Sequence, residues 1–303
     1  MSSRPPVRPQ VYLLDAHYQI FRAYHSLPDL RSPDDIPVGA FRGYTATLIK
    51  FLRERSPTHV AAAFDHAMTS FRNELYPEYK AGRTEAPEDL EPQFSLCAQV
   101  TRALGIPLFE LENFEADDVI ATLTRQLLEQ GADVLIITRD KDLAALVSDR
   151  VWLFDLATGE RSGPKEIEER MGVPPELVPD YLALVGDAVD NIPGVAGIGA
   201  RTACALLQRV GGIEQLPSDP AGWEALGIRN AQRVAQRLEE GRERLALSRE
   251  LVRLRDDLPL AAKLAGLRYE GAERGPLEGL LCELGAQNML ERVPRWRDGW
   301  PTH

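Results

Sequence analysis

The chain has 303 residues, 44% of them hydrophobic and 27% charged, with a formal net charge of −11. That length buries a sizeable core and leaves room for two subdomains, and no apolar run approaches the ~18 residues that a membrane helix needs. The acid excess argues against a protein that binds polyanions by charge alone, but it is local: residues 84–200 hold 23 Asp/Glu against eight Lys/Arg. Cys97, Cys204 and Cys282 are odd in number, widely spaced and without a CxxC pair, which fits a reducing cytoplasm better than a disulfide framework. The opening MSSRPPVRPQ is polar and Pro-rich with no apolar stretch behind it. Residues 1–10 therefore read as a disordered tail, not a secretion signal.

Four short apolar runs then end in acid: VYLLD (11–15), HVAAAFD (59–65), VLIITRD (134–140) and VWLFD (151–155). Each has the composition of a strand buried on both faces. Between the first two, GAFRGYTATLIKFLRER (39–55) carries apolar residues at 41, 44, 48, 49 and 52, a helical stripe. The polar stretch YPEYKAGRTEAPEDLEPQ (76–93) is too long for a tight turn and reads as a functional loop, with an arch region expected over about 72–95. EADDVIATLTRQLLEQG (115–131) opens on acids and closes on Gly131, good helix start and stop signals. This alternation predicts an α/β fold over residues 11–175, a central, mostly parallel sheet flanked by helices. From 176 to 303 helical patterns take over (PELVPDYLALVG, ARTACALLQRVG, NAQRVAQRLEEGRERLALSREL), and a helical subdomain is expected.

In a parallel sheet the ligand crevice lies beyond the carboxyl ends of the strands. Asp15, Asp65 and Asp140 end predicted strands and should converge there. Glu115, Asp117, Asp118, Asp142, Asp187 and Asp190 complete a set of nine candidate carboxylates. Singly, each has a plainer reading. Asp15 or Asp65 could simply close a strand. The acids at 115, 117 and 118 could complement a helix N-terminus, at ~0.3–1 kcal/mol each. Asp142 could be an N-cap. The plainer reading suits Asp118 best, since on a helix it points about 100° away from Asp117. Together, acids in one crevice repel by several kcal/mol unless cations cancel them. Oxygen ligands without Cys or His select Mg²⁺ or Mn²⁺. So many carboxylates suit two cations about 3.5–4 Å apart, as in phosphodiester-cleaving sites. His17, His25, His59, His66 and His303 lack metal-ligand spacing, and neither a nucleophile elbow nor a phosphate-binding loop follows an early strand.

GVAGIGART (194–202) presents Gly194, Gly197 and Gly199 ahead of a helical pattern. Glycine lets backbone amides approach a phosphate, the helix start adds positive potential, and Arg201 and Thr202 add donors. Such a loop grips a duplex backbone without reading sequence. The plainer reading is an ordinary glycine turn between helices.

FDHAMTSFRNELYPEYKAGR, FEADDVIATL, ITRDKDLAALV and LVGDAVDNIPGVAGIGARTA, in this spacing, resemble the 5′→3′ exonuclease domain of bacterial DNA polymerase I, in the flap endonuclease superfamily, over about residues 11–290. The resemblance implies two divalent cations in a carboxylate crevice beneath a helical arch. It implies a helix–three-turn–helix element on downstream duplex, where the loop can hold a K⁺ ion. It also implies cleavage of DNA at 5′ flaps, nicks and 5′ ends to give 5′-phosphate products. A monomer is the default expectation, in the cytoplasm near the nucleoid. All nine acids fall on acids of the family motifs. Lys80 and Arg83 match basic arch residues that assist the scissile phosphate, and Tyr79 matches an aromatic beside the base at the cut. Arg22 and Arg72 match DNA-contacting positions, as do Gly194, Gly197, Gly199, Arg201 and Thr202. The chain departs from the family where Ala16 and His17 follow Asp15, where Arg139 precedes DKD, and where Arg201 replaces a common lysine.

Two other readings compete. An aspartate-nucleophile phosphatase would use LLD and GDAVD, but His17 stands where its second acid should be, and the glycine loop is left without a task. Turnover of a small phosphate ester, with none on flapped DNA, would favour it. A non-catalytic DNA-binding homologue should have lost metal ligands; inertness toward flaps in Mg²⁺ or Mn²⁺ would favour that one.

Overall fold

The computed structural model describes residues 8–82 and 87–297. The tail expected over 1–10 lies outside the described residues as far as 7, and Gln10 already opens the first strand. In chain order the elements begin β1 (Gln10–Asp15), α1 (Ala16–Ser26), α2 (Gly39–Arg55), β2 (His59–Ala63), α3 (Phe71–Leu75), α4 (Glu91–Ala103), β3 (Leu108–Phe109) and α5 (Ala116–Glu129). There follow β4 (Asp133–Ile137), β5 (Val151–Phe154), β6 (Arg161–Ser162), α6 (Pro164–Met171), α7 (Val178–Val185), α8 (Ala200–Val210), α9 (Pro220–Ala225), α10 (Ala231–Glu240), α11 (Arg242–Val252) and α12 (Arg274–Glu283).

The strands form one sheet in the order β3-β2-β1-β4-β5-β6, parallel except for β6. Alternation along each strand explains why the runs are apolar throughout. Val11, Leu13, Val134, Ile136, Val151 and Leu153 face one core, with α5 and α7. Leu14, Leu135, Ile137 and Phe154 face the other, with α1, α2 and α4. Successive residues point to opposite faces, and both faces are covered. The chain leaves β1 toward β2 on one side and later returns as β4 on the other. The gap between β1 and β4 is thus the topological switch point, where α/β sheets bind ligands.

The helix read over 39–55 has those bounds in the structure. The single pattern over 230–251 divides into α10 and α11 at Gly241. The closing segment does not stay with the helical subdomain. Tyr269, Leu277, Leu281, Met289, Val293 and Trp296 pack into the core of α1, α2 and α4.

Candidate active site

The site begins at the end of β1. Asp15 is the last strand residue and also the N-cap of α1: its Oδ1 accepts from Tyr18 N–H at 3.1 Å. Its Oδ2 accepts from the Thr138 hydroxyl at 2.8 Å, and that hydroxyl accepts from Asp140 N–H at 3.0 Å. Thr138 therefore links the ends of β1 and β4 through one oxygen. Asp140 Oδ1 accepts from Asp142 N–H at 2.9 Å, which sets the turn into the 3₁₀ segment 142–146. Asp65 lies just beyond β2; its Oδ1 accepts from Ala116 N–H at 2.6 Å, at the start of α5. Its own N–H donates to His17 Nδ1 at 3.1 Å.

Burial, then the charges of Asp140 and Asp65, push the Asp15 carboxyl up to about 7. Burial, then Asp140 and Asp190, do the same to Asp142. Burial also drives Asp117 well above the ordinary range, with Asp140, Asp15 and Glu115 adding repulsion. These mutual effects place Asp15, Asp65, Glu115, Asp117, Asp140, Asp142, Asp187 and Asp190 in one connected field. Within it, carboxylate oxygens of Asp142, Asp187 and Asp190 lie within 4.8 Å of one another. At an effective dielectric of ~20, like charges that close repel by roughly 3–4 kcal/mol per pair.

Two lysines temper the field. Lys141 Nζ lies 2.6 Å from Asp187 Oδ2, and Lys80 Nζ lies 3.0 Å from Glu115 Oε2. Burial alone would raise Glu115, but Lys80 and Arg72 outweigh it and bring the carboxyl below its usual value. A divalent cation fits this donor set. The ligands are hard oxygens, and Asp142 Oδ1 is buried without a hydrogen-bond partner.

Asp118 and Arg72 depart from the sequence reading. Asp118 is fully buried and takes both guanidinium nitrogens of Arg72, at 2.7 and 2.8 Å. Its carboxylate also accepts from the N–H groups of Glu115 and Arg255. With its lone pairs filled, Asp118 is a structural ion-pair partner, not a metal ligand. Arg72, itself buried, donates onward to the carbonyls of Leu251 and Arg253 and cannot present its charge to DNA. Tyr79 is a third correction. It is buried against Ile192 and Leu251 with its hydroxyl 3.3 Å from Glu115 Oε2, so its ring is not open to stack a base. Arg83 lies outside the described residues.

The arch expectation meets a folded segment on its described side. Lys80 N–H donates to the Asp190 carbonyl, and Asn191 Nδ2 donates to the Glu78 carbonyl. These bonds hold residues 78–80 down on the loop that carries Asp187 and Asp190. Lys80 has a left-handed backbone, φ 58°.

Sequence reasoning did not single out Thr138, Ser70 or Lys141. The Ser70 hydroxyl donates to Glu115 Oε1 at 2.9 Å. The one available signal was Thr138, a hydroxyl two residues ahead of an acid at a strand end. His17, noted as a departure, is partly buried in a stack on Phe94 at 4.7 Å. Burial lowers its pKa despite Asp65, and with Nδ1 accepting a hydrogen bond it is a neutral prop for Asp65.

The glycine loop joins α7 to α8. Gly194 (φ 58°) passes so close to Gly186 that a Cβ would stand 2.5 Å from its nitrogen. Its N–H donates to the Ser248 hydroxyl. A Cβ on Gly197 would strike the Arg237 guanidinium, which donates to the Gly197 carbonyl. Gly199 faces open space at the start of α8, beside exposed Arg201 and half-buried Thr202. Gly194 is buried and committed to internal contacts, whereas Gly197 and Gly199 are exposed.

Carboxylates gathered at the switch point of a parallel sheet, with a glycine loop opening onto a helix start, define a nuclease. A family model described as 5′-3′ exonuclease, N-terminal resolvase-like domain, matches residues 10–172; one described as 5′-3′ exonuclease, C-terminal SAM fold, matches 173–275. The chain belongs to the 5′-3′ exonuclease family. It is 40% identical to DNA polymerase I of Rhizobium leguminosarum over 93% of this chain and 28% of that protein. It is 33% identical to the 5′-3′ exonuclease of Aquifex aeolicus over 94% of this chain and 95% of that one. The chain thus spans about a third of the length of the DNA polymerase I relatives it matches. Among solved structures, T5 5′-exonuclease with zinc bound superposes with a TM-score of 0.64 at 24% identity, covering 81% of this chain and 90% of that chain. The flap endonuclease-1 of Methanococcus jannaschii gives 0.59 at 16%, covering 94% and 91%. These likenesses support the fold. Among the described residues, no helix is long and apolar enough to cross a membrane.

Proposed function

We propose that the chain is a structure-selective 5′→3′ exonuclease and flap endonuclease, acting as a monomer on DNA in replication and repair. Its substrates would be 5′ flaps, nicks and 5′ ends. The observation that carries this is the cluster of Asp142, Asp187 and Asp190, whose carboxylate oxygens lie within 4.8 Å of one another and one of whose oxygens is buried without a partner, beside Asp15 and Asp140 joined through Thr138 at the β1/β4 switch point. Asp15, Asp65, Glu115, Asp117 and Asp140 would hold one divalent cation, Mg²⁺ or Mn²⁺, and Asp142, Asp187 and Asp190 a second. When bound, the cations supply a hydroxide-like water and neutralise charge on the attacked phosphate and leaving oxygen.

The protein's residues do the rest. Thr138 fixes the facing of Asp15, His17 and the start of α5 fix Asp65, and Ser70 fixes Glu115. Lys80, paired with Glu115 at 3.0 Å, would exchange that carboxylate for the scissile phosphate. The water oxygen joins phosphorus, the bond from phosphorus to the 3′ oxygen breaks, and that oxygen leaves as a 3′-hydroxyl. Of the water's two protons one is taken up, through solvent, by the leaving 3′ oxygen and the other is released, and the other product carries a 5′-phosphate. Gly199, Arg201 and Thr202 would hold the duplex backbone at the start of α8.

Incubation of the protein with a 5′-labelled flap oligonucleotide tests this reading. Short fragments should appear with Mg²⁺ or Mn²⁺ and vanish with chelator. Intact flap under both conditions would overturn it.

A further inference from the structure

Arg139 is a charged departure from the family motifs that the site described above leaves without a role. Its backbone lies between Thr138 and Asp140, and its side chain, 62% exposed, reaches across the ends of β4 and β5 to Asp155. Arg22, on α1, reaches the same carboxylate from the other side. The distances are 3.5 Å for Arg139 and 3.8 Å for Arg22, ion-pair separations too long for hydrogen bonds. Asp155 is 8% exposed and is already satisfied by Ala157 N–H at 2.8 Å and the Thr158 hydroxyl at 3.1 Å. One buried acid therefore aligns two guanidiniums without consuming their donors, of which each has five.

The charge balance there is one positive in surplus, at the rim of a crevice that is otherwise acidic. Tyr18, whose N–H is capped by the Asp15 carboxylate, lies in the field of Arg22, Arg139, Asp155 and Asp15 together, which ties the pair to the metal side of the sheet. Beyond Arg22 the surface continues as a groove of about 460 Å³ between α1 and α2, edged by Arg42, Lys50 and Arg55. Planar guanidiniums favour phosphate. An isolated surface ion pair would need only one of them.

We propose that Arg139 and Arg22, spaced by Asp155, form a clamp for a DNA backbone phosphate next to the one cleaved, with Arg139 an added contact of this chain. The inference rests on the nuclease reading for the identity of its ligand. The clamped group is either an internal phosphodiester or a 5′-terminal phosphate, and the substrates below separate the two.

Binding of a fluorescent 5′-flap substrate is measured in chelator over a series of salt concentrations, for wild type, Arg139→Ser and Arg139→Lys. Arg139→Ser should weaken binding about two- to fivefold, the range of an exposed charge pair. It should also lower the slope of log K against log salt by about 0.7–0.9, one phosphate contact. Arg139→Lys should keep the slope. A single methylphosphonate beside the cut should cost wild type the same and Arg139→Ser nothing more if the phosphate is internal. Loss of the mutant effect on a 5′-hydroxyl substrate would assign the clamp to a terminal phosphate. An unchanged slope for a folded Arg139→Ser overturns the proposal. Because the measurement needs no cleavage, it stands apart from the test of nuclease activity: a wild type that binds with this slope but does not cut would sink that reading and leave the clamp.

Discussion

Asp117 and Asp118 are neighbours in sequence and opposites in role. Asp117 sits half-buried among repelling acids, while Asp118 is sealed against Arg72. The residue types and their places at strand ends made the acidic crevice legible. The Arg72–Asp118 pair was not legible, because nothing local says that a guanidinium 46 residues away will fill that carboxylate. The rotation between successive helical residues hinted at it for Asp118. For Arg72 and Tyr79 the motif pointed to DNA, and only tertiary packing shows both side chains turned inward. Two expectations follow. Arg72→Met should cost about 3–5 kcal/mol in urea unfolding, because it strands a buried charge; pairing it with Asp118→Asn, which removes that charge and keeps an acceptor for the Glu115 and Arg255 N–H groups, should recover part of that loss. Calorimetric titration with Mn²⁺ should show weaker binding for Asp117→Asn, while Asp118→Asn should lose stability and keep its affinity once folded.

At the scale of elements, long periodic patterns were readable and short ones were not. The stripe over 39–55 has enough turns to declare itself, whereas β3 and β6 are two residues each and exist only through their neighbours in the sheet. The break between α10 and α11 was hidden because Gly241 interrupts an otherwise continuous amphipathic pattern. The glycine loop was legible as a loop, but its three glycines serve different needs. Gly194→Ala should destabilise by at least about 1–2 kcal/mol from its left-handed backbone alone, before the clash with Gly186. Gly199→Ala, at an ordinary φ of −96° and facing open space, should cost only the exchange of a glycine N-cap for alanine, about 1 kcal/mol. Its main effect should be weaker duplex binding. Thermal melts and binding curves on the same two proteins would separate these outcomes.

For the molecule as a whole, the net charge misleads until its location is known. Six of the 23 acids in residues 84–200 belong to the crevice set, and exposed Arg201, Arg229 and Arg233 lie well away from it in sequence, in the helical part. The closing segment, read as part of the helical subdomain, returns to the first core because its apolar residues complete the face of α2 and α4. Amphipathicity shows that such a segment must be covered, without showing by what. If the crevice is a cation site, Mn²⁺ at a hundred times its dissociation constant should add about 2.7 kcal/mol to unfolding stability, and Asp187→Asn should reduce that gain. The most direct measurement is single-turnover cleavage of a 5′-flap substrate in Mg²⁺ by wild type and Asp140→Asn, with DNA binding measured alongside. The expected result is a rate lower by about a hundredfold or more with binding largely retained. An Asp140→Asn protein that cuts at the wild-type rate would contradict the assignment of this crevice as the catalytic metal centre.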